Sequence, residues 1–283
     1  MENYKIEKPA FKLGIPAKVA IIVVIAVILR ILLLVLLPLR QTTELPPLSM
    51  LSAQFGMIPI MLIMITFLTI TITLVLVKIQ NNLKVSRTEM IFRSVFSFTL
   101  ICFLAVLETV PSLGKPIEGE ILIAFSDIIP IIFIGILSAF LNKNYTKSNF
   151  RISALFKNIH KAFIITAVYF VGRYLLYAII NVQSGYSLRP GPTFIWTLLL
   201  GFSIGLLYIM LEPGIKSDSI FKKALIFGLL IFGVYWTLNN LFMPVVFDMS
   251  SINFNPPFMN YVFRFLLDIL FVITGVWLSE RRT

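Results

Sequence analysis

Apolar residues fill eight stretches, at roughly 18–38, 56–78, 91–110, 121–141, 161–182, 193–212, 223–247 and 259–279, and polar residues collect in the segments between them. An α-helix rises about 1.5 Å per residue, so each stretch is long enough to cross a hydrocarbon layer of about 30 Å. The pattern predicts an all-α polytopic integral membrane protein with eight transmembrane helices. The connecting segments are short and show no strand-like alternation, so any site has to be built from the helices and their connections. Pro46 and Pro47 fall in the return at 39–55, and Pro190 and Pro192 in the return at 183–192, where proline stiffens the chain.

Charge changes the picture by giving the helices a direction. Eighteen of the 24 basic residues lie at the N-terminus, the C-terminus and alternate returns, whereas the opposite returns hold only Arg40, Lys115 and Arg189. By the positive-inside rule both termini are expected in the cytoplasm, and residues 1–17 read as a cytoplasmic leader rather than a cleavable signal. The Asn144-Tyr145-Thr146 sequon then lies on the cytoplasmic side, where it is unused. Hydrophobic residues make up 58% of the chain and charged residues 13%, a balance that a soluble domain does not show. The net charge of +11 sits in blocks beside the apolar runs, which argues for anionic lipid headgroups as partners and against nucleic acid. With a single cysteine, Cys102, and a single histidine, His160, neither a disulfide nor a Cys/His metal centre is expected.

Several features recur at a nearly constant offset. Lys18 and Arg30 are twelve residues apart, as are Lys161 and Arg173, and Pro47 stands to Pro190 as Arg30 stands to Arg173. Asp127 in the fourth stretch similarly answers Asp268 in the eighth. The expectation is two four-helix halves, 18–142 and 143–283, in parallel orientation about an axis along the membrane normal.

The ionisable and amide residues inside the spans are the candidate chemistry, since each charge costs roughly 2.5–3.5 kcal/mol at a helix centre. They are Arg30, Glu108, Asp127, Arg173, Asn239, Asn240, Arg264 and Asp268, all placed in the exterior half of the bilayer. Three readings compete. The charges fix the fold as interhelical ion pairs, or they line a cavity in which arginine forks bind a carboxylate, phosphate or lipid headgroup, or Asp127 and Asp268 relay protons. Arg264 and Asp268 are spaced i,i+4, so Asp268 is expected to hold Arg264. Pro130 frees the carbonyl of Ser126 beside Asp127, which suggests a coupling-ion site there or an ordinary kink. Thr66, Thr69, Thr71 and Thr73 can line a pore but more often bond back to their own helix. Gly201 and Gly205 signal close helix packing, and Tyr169, Tyr174 and Tyr177 divide between belt and core.

No HExxH, Walker loop, Rossmann fingerprint or aspartate-rich metal pair occurs, so no catalytic residue, metal or cofactor is assigned. The expected function is transport or binding of a small anionic or amphipathic solute by a plasma-membrane protein. The alternatives are a membrane-embedded enzyme acting on a lipid-linked substrate, and a non-catalytic subunit or sensor.

Overall fold

A computed structural model describes residues 14–36, 47–142, 145–146, 156–180, 185–248 and 258–281. Eight long helices organise them: α1 (Ile15–Leu36), α2 (Met57–Asn82), α3 (Arg87–Val106), α4 (Ile117–Leu141), α5 (Ile159–Ile180), α6 (Pro190–Leu211), α7 (Ile220–Val246) and α8 (Phe258–Arg281). All eight contain a segment long and apolar enough to cross a membrane. Among the described residues there is no strand, only an isolated antiparallel bridge between Leu48 and Phe247. Most of the leader, the end of the first expected span, Pro46 and Asn144 of the sequon lie outside the described residues.

Local chemistry sets the helix ends. Ser86 caps α3 by accepting from the Glu89 amide at 3.3 Å. The third span, expected unbroken to 110, stops at Val106, turns through Leu107 and Glu108, and resumes as the short helix Thr109–Leu113. Pro111 explains the break. It has no N–H for the carbonyl of Leu107, which the Val110 amide takes instead at 3.1 Å. Gly114 closes the short helix in the left-handed conformation (φ 71°), and the Arg189 guanidinium packs where a Cβ would stand. Pro190 and Pro192, expected in a return, belong instead to the first turn of α6, where a missing N–H costs nothing. Helix α7 is continuous but contains a π-helical stretch, Ile226–Gly233, that no sequence signal announced.

Packing follows a simple scheme. In the first set α1 meets α2 and α4, α4 meets α3, and α2 also touches α4; in the second, α5 meets α6 and α8, and α7 meets α8. Between the sets α3 packs on α6 and α2 on α7. At one end, here the upper, Ser49 Oγ donates to the Val245 carbonyl at 2.6 Å and Arg189 Nη1 to that of Pro111 at 3.3 Å. At the lower end Asn82 Nδ2 donates to the Gly214 carbonyl at 3.1 Å and Arg93 Nη1 to that of Met210 at 2.9 Å. Helices α5 and α6 touch backbone to backbone: a Cβ on Gly205 would stand 2.6 Å from Ala162 Cα, and one on Gly201 3.3 Å from Thr166 Cα.

Candidate functional site

The eight charged and amide residues expected inside the spans gather in two separate centres in the bundle interior. The larger is built around Arg173 of α5. Its Nε donates to Asp268 Oδ1 of α8 at 2.5 Å and its Nη2 to Oδ2 at 2.6 Å, and both residues are 0% exposed. Trp236 Nε1 of α7 gives Asp268 a third donor at 2.9 Å. The rings of Trp196 and Tyr169 lie 5.3 and 5.6 Å from the Arg173 guanidinium carbon, and Tyr177 Oη meets Nη1 at 3.1 Å. A guanidinium cut off from water has to be matched in this way, by charge and by hydrogen-bond number together.

Glu108, in the Pro111-induced break of α3, reaches this centre from the other set of helices. Its Oε1 stands 3.5 Å from Arg173 Nη1 and 3.2 Å from Arg264 Nη2. Arg264 Nη2 also meets Asn240 Oδ1 at 3.1 Å, and Asn240 Nδ2 donates to the Trp236 carbonyl at 2.8 Å. Asp268 is therefore taken by Arg173 in two-point geometry, and the expected i,i+4 grip of Asp268 on Arg264 gives way to it. The reason is tertiary: α5 brings a planar fork flush against the carboxylate, which a neighbour on the same helix cannot match. Two guanidiniums and two carboxylates leave the centre neutral.

The smaller centre joins Arg30 of α1 to Asp127 of α4 through Nη2 and Oδ1. A cavity of about 20 Å³ adjoins it, lined also by Thr69 of α2, Cys102 of α3, Pro130 of α4, and Tyr235 and Asn239 of α7. Helix α7 thus serves both centres from adjacent positions: Tyr235 and Asn239 line the cavity beside Asp127, and Trp236 and Asn240 meet Asp268 and Arg264. The three arginines do not converge on one cavity. Each has a carboxylate partner.

Other features resolve simply. Each threonine of α2 donates back to a carbonyl four residues earlier, Thr66 to Leu62 at 2.7 Å, Thr69 to Ile65 at 2.8 Å, Thr71 to Phe67 at 2.9 Å and Thr73 to Thr69 at 2.7 Å. Residues Gly201 to Gly205 spell GxSxG, a spacing that sequence reasoning missed and that is better known from hydrolase nucleophile elbows. Here Ser203 lies within α6, is 0% exposed and donates to the Leu200 carbonyl at 2.8 Å, so the elbow geometry is missing. Tyr169 and Tyr177 are core residues and Tyr174 is partly exposed.

Sequence reasoning missed a third cluster at the lower end. Lys161 of α5 pairs with Glu212, just past α6, at 2.9 Å and with Glu280 of α8. Lys223 of α7 reaches the same two carboxylates at 3.2 and 2.9 Å, and Tyr208 Oη donates to Glu280 at 2.8 Å. The available signal was a pair of glutamates placed at helix ends among lysines counted only for topology. Trp236 and Tyr235 carried no signal of their own, and Tyr177 was legible only as a residue of belt or core. Among the described residues no three His, Cys, Asp or Glu side chains assemble as a metal site requires. Comparison of the chain with protein-family models, curated proteins and solved structures gives no match.

Proposed function

We propose that the protein is a plasma-membrane carrier that binds and transports a small anionic or amphipathic solute, threaded with both termini in the cytoplasm and its solute site in the exterior half. The threading rests on the uneven distribution of lysine and arginine between the two sets of returns, which makes the upper end the exterior one. The halves 18–142 and 143–283 are a duplicated four-helix unit. Support comes from the matched ion pairs: the first helix of each half supplies an arginine to an aspartate on its fourth helix, Arg30 to Asp127 and Arg173 to Asp268. Support also comes from the seam, where the second helix of each half packs on the third of the other. Such an arrangement suits a two-fold axis along the membrane normal, with a solute path between the halves.

One observation carries the solute reading. Glu108 of the first half bridges Arg173 and Arg264 of the second through one oxygen, at contacts longer than those between Arg173 and Asp268. A carboxylate shared by two guanidiniums across a seam is what a solute carboxylate or phosphate offers in its place. Glu108 then neutralises the site when no solute is bound, and the solute displaces it. Arg264 and Asn240 are the remaining ligands, and Arg173 is shared with Asp268. The competing reading, that the charges only staple helices, describes the saturated Arg173–Asp268 pair well.

The test is thermal unfolding of the purified protein against a panel of small carboxylates, inorganic phosphate and lysophospholipids. Ligand that binds only the folded state raises the melting temperature. The proposal expects anionic members to stabilise the wild type and to lose that effect in Arg264→Gln. Indifference across the panel favours the staple reading for every pair.

A further inference from the structure

The two Arg–Asp pairs differ in one respect that matters for chemistry. Asp268 is saturated, with three donors and no exposure. Asp127 is not. Arg30 meets it through Nη2, while the buried Nε of Arg30 has no hydrogen-bond partner among the described residues. The Tyr235 hydroxyl, on a side chain only 2% exposed, has no oxygen or nitrogen partner among the described residues and stands beside the Cys102 thiol. Arg30, Asp127 and Tyr235 all line the same cavity, and its volume of about 20 Å³ is enough for one water. On the α4 side Pro130 lines it too and leaves the Ser126 carbonyl without its i+4 amide.

We propose that Asp127 is a reversible proton-binding carboxylate, protonated and deprotonated through this water-sized cavity with Tyr235 as its hydrogen-bond partner. The proton adds to a carboxylate oxygen, no other bond changes, and the centre passes from neutral to a single positive charge on Arg30. The tyrosine hydroxyl both donates and accepts, so it can serve either form of the acid. A metal cation is a poor occupant. Hard cations such as calcium gather about 6–8 oxygen ligands, whereas this cavity offers one carboxylate with a guanidinium already in contact. The titratable and charged groups facing Asp127 are Arg30 from α1, Cys102 from α3 and Tyr235 from α7; α2 contributes only the uncharged Thr69. Trp236 follows Tyr235 and holds Asp268, so one turn of α7 borders both centres. As a coupling site this inference rests on the carrier reading; as a proton site it stands without it.

The experiment is an infrared difference titration of the full-length protein in phosphatidylcholine vesicles, lowering pH from about 8 to about 3, a range that includes the ordinary aspartate value of about 3.9. The expected result is a protonated-carboxyl band that is lost in Asp127→Asn, moves in frequency in Asp127→Glu and Tyr235→Phe, and is retained in Asp268→Asn. Asp127→Glu keeps an acid at the site and decides the matter even where the asparagine variant fails to fold. No band, or a band unmoved by Asp127→Glu, overturns the proposal. So does suppression of the band when sodium chloride replaces choline chloride at fixed pH, since a cation then competes for the site. No solute enters this measurement, so titration without transport sinks the carrier reading alone, and transport without titration sinks the proton site alone.

Discussion

Arg173 and Asp268 form a fully buried ion pair with two contacts, Nε to Oδ1 at 2.5 Å and Nη2 to Oδ2 at 2.6 Å, linking α5 to α8. Breaking a buried pair from one side leaves the other charge uncompensated, at about 3–5 kcal/mol. Asp268→Asn and Arg173→Gln are each expected to lower stability by that order. The double variant is expected to lose far less than the sum, because it leaves no lone charge. Denaturant unfolding in detergent, run as a double-mutant cycle, measures the coupling.

Glu108 behaves differently. It is held at 3.2 and 3.5 Å and its side chain is 14% exposed, against 0% for that of Asp268. Glu108→Gln is therefore expected to cost less stability than Asp268→Asn. It should also tighten binding of inorganic phosphate about tenfold or more, the equivalent of about 1.4 kcal/mol, because the resident anion no longer competes. Denaturant unfolding of the two variants checks the order of stability, and calorimetric titration of Glu108→Gln with phosphate checks the direction of binding.

Two glycines make opposite predictions. A Cβ on Gly205 meets Ala162 Cα and carbonyl oxygen at 2.6 Å, both backbone atoms that cannot swing aside. Gly205→Ala is expected to push α5 and α6 apart and cost about 1–3 kcal/mol. Gly119, near the start of α4, has nothing within 4 Å of the same position. Gly119→Ala should be neutral or stabilising by up to about 1 kcal/mol, through the helix propensity gained. Melting temperatures of the two variants separate the cases.

Threading is checked with engineered cysteines at two exposed positions, Glu118→Cys at the upper end and Lys216→Cys at the lower, since the native Cys102 is buried. A membrane-impermeant maleimide applied to intact cells is expected to label position 118 and leave position 216 until the membrane is opened.

The eight helices were legible because span length and apolarity are local properties that tertiary context leaves alone. The residues of both charge centres were legible for the same reason: a charge within an apolar run stands out. Their pairing was not. Spacing along one helix pointed Asp268 at Arg264, whereas the fold brings in Arg173 from α5 and Trp236 from α7, and neither contact has a one-dimensional signature. The break at Leu107–Glu108 was half-legible: Pro111 stands in the sequence, but whether a proline kinks a helix or ends it depends on its surroundings in the fold. The π-helical stretch of α7 left no trace beyond Gly228 and Gly233. It precedes the turn that sends Tyr235 and Trp236 to different centres. Lys161 and Lys223 stand at helix starts where basic residues signal topology, and nothing in that signal points to their glutamate partners Glu212 and Glu280.

The most direct test of the solute reading is uptake of the stabilising anions by sealed vesicles containing the purified protein, wild type against Arg264→Gln. The account predicts saturable uptake by the wild type and its loss in Arg264→Gln, with the variant still folded. Uptake equal to that of empty vesicles, or uptake unchanged by Arg264→Gln, contradicts it.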